Sequence, residues 1–270
     1  MQPKPKQPKP KQLRPLSPFV FLIVLSCVFP LLSSGQDGIS RSFLDGVLSA
    51  KPLPGYELPP LLKDARRGDL ESVRRHLALG ADIKQVQKAT GMDALAIAVH
   101  HGHNPLVSFL VRNGAPVNSA GVHGITPLMR AALKGDLAVV EYLLRHGADP
   151  QLADKGGRVA TAHYAMQGGN PAVVERLVKA GGRLDTPDKR GVDALHIAAS
   201  AKQPALLKLA LDGRRDPDPG TNHGLTPLTS AVLVQDLDAV RLLLRHKARP
   251  EHVPAAVLRE APDEIRSLLQ

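Results

Sequence analysis

The chain of 270 residues sets 35 Lys and Arg against 25 Asp and Glu, a net charge of +10, with one cysteine, no tryptophan and 3% aromatic residues. One cysteine excludes a disulfide-held scaffold, and so few rings exclude a groove that stacks bases or sugars. The length admits one or two domains, so hydrophobic periodicity has to decide between them.

In chain order, the first stretch is a leader. Lys4, Lys6, Lys9, Lys11 and Arg14 stand without an acid, and residues 19–32 follow as FVFLIVLSCVFPLL. Ser33, Ser34 and Gly35 then supply the small residues of a cleavage site, which completes the charged–apolar–small order of a secretory signal peptide over residues 1–35. The apolar run falls short of the about 20 residues that span a bilayer, and Pro30 interrupts it. An uncleaved anchor over residues 19–32 is the competing reading. Cys27 after Val24-Leu25-Ser26 loosely matches a lipidation box, but the apolar continuation from Val28 argues against lipidation. Cleavage would deliver the chain to the periplasm or the outside, its contact with the membrane ending with the leader. Residues 36–270 carry no thiol and hold 30 Lys and Arg against 25 Asp and Glu, a net +5 spread evenly along the chain. That is no nucleic-acid footprint; it suits solubility and the steering of acidic partners.

Residues 36–58 read as an extended linker. Phe43, Leu44, Val47 and Leu48 allow a helical turn or two, and Pro52, Pro54, Pro59 and Pro60 keep the rest extended. From there the pattern repeats. Its clearest unit, residues 121–150, holds two short helices: Thr126 caps the first, Pro127 opens it, and Leu128, Ala131 and Ala132 form its apolar stripe. Gly135 breaks the chain and Asp136 restarts it. Val139, Val140, Leu143 and Leu144 form the second stripe, and Gly147 ends it. Neither helix is long enough to hold itself in water, so the unit must stack on its like.

The same template recurs over residues 59–83, 88–117, 154–184, 188–217 and 221–250, with a shortened pair at 251–270. Leu95 precedes Leu128 by 33 residues, and Ala162 follows Leu128 by 34. This period predicts an all-α solenoid of about six repeats including caps, occupying residues 59–270 as one extended domain. The first repeat places Ser72 and His76 where inner repeats have Val139 and Leu143, which suits an end without a neighbour. Asp93 and Asp193 replace threonine as caps. The fourth repeat puts Ala160 at the cap and carries the extra residue beside Gly156-Gly157, making it the expected loose joint. Beyond it the left-handed glycines give way to Lys202, Arg214, Gln235 and Lys247, so the last two repeats should be locally weaker. In the terminal pair, Asp263 is the expected cap, with Ile265, Leu268 and Leu269 buried.

The carriers TPL at residues 126–128 and 226–228, LHIAA at 195–199, and GAD at 80–82 and 147–149 resemble the ankyrin repeat. The likeness covers roughly four-fifths of the chain, and with the leader it resembles bacterial secreted or periplasmic members. It implies helix–loop–helix units joined by β-turn fingers, no cofactor, no active site, and a monomer that binds an unidentified protein partner on its concave face. The positions the resemblance makes variable are Met92, His100 and His101; His123, Ile125, Leu133 and Lys134; Lys189, Arg190, Val192 and Ser200; and His223, Leu225, Leu233 and Val234. The apolar members among them are either an exposed interface or packing against the next finger. His163 and His196 stand where the family places a histidine that bonds to the neighbouring loop, and Met129 replaces it in the clearest unit. The alternative to a protein scaffold is a metal or small molecule held by the histidine-bearing rim. No nucleophile elbow, phosphate loop or His-Glu-x-x-His points to catalysis.

Overall fold

The computed structural model describes residues 58–212 and 216–270. The leader, its Cys27, the linker up to residue 57 and Arg214 lie outside the described residues. The chain lays down pairs of short helices: α1 Pro60–Arg67 and α2 Leu70–Ala78, α3 Ala94–His101 and α4 Asn104–Arg112, α5 Pro127–Lys134 and α6 Leu137–Arg145. A π-helix over Ala160–Ala165 runs into α7 Met166–Gly168 and pairs with α8 Pro171–Lys179. Then come α9 Ala194–Ser200 with α10 Pro204–Leu211, and α11 Pro227–Leu233 with α12 Leu237–Arg245. A 3-10 turn Pro250–His252 leads to the short pair α13 Ala255–Glu260 and α14 Asp263–Leu268.

Side-chain caps explain eight of the helix starts among the described residues. The side chains of Asp93, Thr126, Asp193 and Thr226 accept from N–H groups in the first turn of α3, α5, α9 and α11. Asp69, Asp136, Asn170 and Asp236 do the same for α2, α6, α8 and α12. Each such cap adds about 1 kcal/mol to a helix too short to stand alone. In α5 the Met129 sulfur also reaches back to the Thr126 N–H at 3.4 Å, a weak substitute for the usual imidazole.

Packing then makes one stack. Leu61, Leu95, Leu128, Ala162, Leu195 and Leu228 fall in register and are buried, and so are Ala98, Ala131, Ala165, Ala198 and Ala231 one turn on. Alanine at every step lets successive first helices approach closely, whereas the second helices touch one another far less. The stack therefore curves with the first helices on its inner side. At its start Asp64 stands where later repeats have alanine, and His76 Nε2 bonds it at 3.0 Å, the polar outer face expected of a terminal repeat.

Several readings of the sequence need correction. The fourth repeat's extra residue lies inside its first helix, not in the finger. Its cap position is Val159, with no side-chain cap, and Gly169 follows ten residues later, against nine from Thr126 to Gly135. An α-helix that took in one more residue would turn its buried side by about 100°, since a turn holds 3.6 residues. The π-turn absorbs it instead, and Tyr164 N–H reaches Val159 O at 3.5 Å. Pro262, not Asp263, is the cap of α14. Leu268 is exposed, and Leu144 and Leu269 are only half-buried.

Candidate protein-binding face

The inner side of the curve presents two rows. One is formed by the C-terminal ends of the first helices, the other by the finger tips. At the end of α3 the rings of His100 and His101 meet edge to face, with centroids 5.0 Å apart, and His101 lies nearly parallel to His103 at 5.9 Å. His103 Nε2 meets the Arg66 carbonyl at 3.0 Å, so this histidine ties α4 back to the repeat before it. Lys134 Nζ donates to the His100 carbonyl at 2.7 Å, a cation on the negative end of α3. Among the described residues no three His, Cys, Asp or Glu side chains are grouped to hold a metal ion.

The fingers are held by a backbone ladder. Val122 N–H donates to Thr90 O at 2.9 Å, Lys155 to His123 at 3.0 Å, Lys189 to Gly156 at 2.9 Å, and Asn222 to Arg190 at 2.8 Å. Gly124 shows why the tips need glycine: its φ is +79°, and a Cβ there would lie 2.9 Å from the Lys155 nitrogen. Two fingers turn around a buried aspartate. Asp154 Oδ1 accepts from the N–H groups of Gly156 and Arg158 at 2.8 and 2.9 Å, while its Oδ2 takes Arg158 Nε at 2.8 Å and the Tyr164 hydroxyl at 2.7 Å. Burial pushes this carboxyl up, but the hydrogen bonds from Tyr164 and Arg158 outweigh it and hold the group below the usual carboxylate range. Burial pushes the Tyr164 phenol up, so it stays a donor. Asp188 repeats the turn with Arg190 and Val192, and Arg190 Nη2 closes the pair at 3.0 Å.

His163 and His196 bind the next finger as the family resemblance implies. His163 Nδ1 accepts from Val159 N–H at 3.2 Å, so Nε2 carries the proton and donates to Val192 O at 2.9 Å. His196 Nε2 meets Leu225 O at 3.1 Å. Burial lowers the His163 pKa below its ordinary 6.5 and keeps the ring neutral.

The structure divides the variable positions. His123, Lys134, Lys189 and His223 are exposed, and His100, His101, Leu133, Arg190 and Val234 are half-buried. Met92, Ile125, Val192 and Leu225 are buried, because the residue before each cap tucks beneath its own finger. Ser200 and Leu233, on the last turns of α9 and α11, are buried as well. These six pack; they do not present a surface.

Residue-type reasoning missed two groups. Lys88 and Lys155 are exposed at finger tips, in the neighbourhood that Lys189 and His123 mark in other repeats. Arg130 is buried in α5 at the position filled by Ile97 and Ile197 in other repeats, and its Nε and Nη1 find no partner. Burial lowers its pKa to about 10. The signal was there: a charge in an inner repeat at a position where two others carry isoleucine.

Residues 61–154 and 162–253 match the family model described as ankyrin repeats. The interval between the two blocks, residues 155–161, holds the finger tip and the first two residues of the π-turn in the fourth repeat. The chain is 29% identical, over 68% of its length, to ZDHHC13 of Danio rerio, a protein named for palmitoyl transfer. It is 31% identical, over 49% of its length, to an ankyrin repeat-containing protein of Treponema pallidum, and 31% identical, over 68%, to the E3 ubiquitin-protein ligase XBAT33 of Arabidopsis thaliana. It spans only 29%, 44% and 35% of those proteins' own lengths, in the same order. The chain belongs to the ankyrin-repeat family, a class of helical repeat proteins that generally mediates protein–protein interaction and is generally non-catalytic.

Proposed function

We propose that this protein is a non-catalytic scaffold that captures a protein partner on the inner side of its curve, working in the cell envelope or outside the cell. The observation that supports it most is where the repeats differ. Buried positions repeat leucine and alanine from unit to unit, whereas the accessible first-helix ends change from His100-His101 to Leu133-Lys134 to Val234. Variation at accessible positions of an otherwise uniform array suits a surface shaped for one partner. The envelope location rests on the order of residues in the leader, either cleaved after residue 35 or retained as an anchor over residues 19–32.

Photo-crosslinking tests the reading. A crosslinking side chain is placed at Lys134 or Val234 on the inner side, or at Arg145 or Val178 on the second helices, in the full chain in its own cells. One adduct of the same mass from Lys134 and Val234 alone is expected. Adducts from Arg145 and Val178 alone, or none from any position, would contradict it. A fusion of residues 1–35 to a reporter checks the location: export is expected, and cytoplasmic retention overturns it.

A further inference from the structure

The finger tips carry a pattern that the partner-binding reading does not absorb. Lys88, Lys155 and Lys189 point out of three fingers, with His123 and His223 on two more, and all five are exposed. The only acids at the described tips, Asp154 and Asp188, are buried at the base of their turns and paired to Arg158 and Arg190 at 2.7 and 3.0 Å. The negative charges are turned inward and neutralised, and the lysines are left outward. No ion pair engages Lys88, Lys155 or Lys189 among the described residues. The backbone ladder from Thr90 to Asn222 fixes these cations in one row.

We infer that this row binds an acidic, extended segment of the partner, laid across the fingers; the inference rests on the partner-binding reading. Each finger is a hairpin, so neighbouring tips stand about two strand spacings apart, ~10 Å. An extended chain advances ~3.3 Å per residue, so it meets a new finger about every third residue. The segment should therefore carry acids at intervals of three rather than in a block. A single-stranded nucleic acid would want rings to stack on, and the described aromatics, Phe109, Tyr142 and Tyr164, lie in the helices and not at the tips.

The test uses the full chain and two labelled peptides of about 12 residues. One has glutamate at every third position, and the other gathers the same glutamates together. Fluorescence anisotropy at about 0.15 M salt reads their binding. The spaced peptide should bind at least about tenfold more tightly than the clustered one. Lys88→Glu, Lys155→Glu and Lys189→Glu together should weaken it about tenfold or more. Arg112→Glu, Arg145→Glu and Lys179→Glu, exposed on the second helices, make the same change in net charge and should leave it within about twofold. Equal losses from the two triples would reduce the row to bulk charge and overturn the inference. So would equal binding of both peptides, or tighter binding of oligothymidylate or anionic vesicles that the finger triple abolishes. Failure here with inner-side crosslinks retained removes the row alone; absence of those crosslinks removes the scaffold reading.

Discussion

At the scale of single residues, the informative positions are those where a repeat departs from its neighbours. Arg130 is a buried cation with two nitrogens unpartnered, in a place where Ile97 and Ile197 serve other repeats. Replacing such a group with an apolar side chain is often stabilising. Arg130→Ile should raise unfolding stability by about 1–3 kcal/mol, read as a higher urea midpoint with unchanged slope; a lower midpoint would show that the charge is satisfied in solution. Lys202, Gln235 and Lys247 hold φ of 54°, 55° and 68°, as expected where capping glycines had given way. Lys247→Gly relieves that strain at some cost in chain entropy, so a net gain of about 0.5–1 kcal/mol is expected in thermal unfolding. An unchanged or lower midpoint would remove strain as the cause. Strain of this kind was legible because it follows from residue type and register alone. Burial was not: Ile125 and His123 flank the same turn glycine, yet one lies under the finger and the other on its tip. Residue type and spacing do not say which side of a turn a neighbouring unit will cover.

At the scale of elements, the caps and helix pairs were legible because each short helix needs its own start and stop, and those signals are local. The π-turn over Ala160–Ala165 was not. An extra residue shows only as a longer interval, and whether finger or helix takes it depends on which alternative keeps Ala162 and Ala165 facing the core. The turn begins without a side-chain cap, so it should open more readily than its regular counterpart. Amide hydrogen exchange should be faster across Ala160–Ala165 than across Pro127–Lys134; equal or slower exchange would show that packing compensates fully. His163 bridges this turn to the next finger as a neutral ring. Its folded pKa lies below the ordinary 6.5, so the unfolded chain takes up the proton first. The stability it contributes is whole above pH 6.5 and is lost as pH falls below that value. His163→Met copies the residue that serves α5, and should flatten the fall in urea midpoint between pH 6.5 and about 5. An unaltered slope would place the acid sensitivity elsewhere.

At the scale of the whole molecule, the array follows from a rule applied unit by unit: no helix pair is stable alone, alanine lets the first helices close up, and the curve results. That much was legible, since a period near 33 residues and its carriers recur along the chain. The face was legible only in part. The resemblance pointed to helix ends and finger tips, but treated the residue before each cap as surface, and it passed over Lys88 and Lys155. The proposed face, so corrected, is a rim of His100, His101, Leu133, Lys134 and Val234 beside a row of basic tips. Hydrogen exchange of the full chain, with and without the partner captured by crosslinking, tests this most directly. Added protection should fall on the ends of α3, α5 and α11 and on the finger tips, with α4, α6, α8 and α12 unchanged. Protection centred on those second helices, with the tips unaltered, would contradict the account.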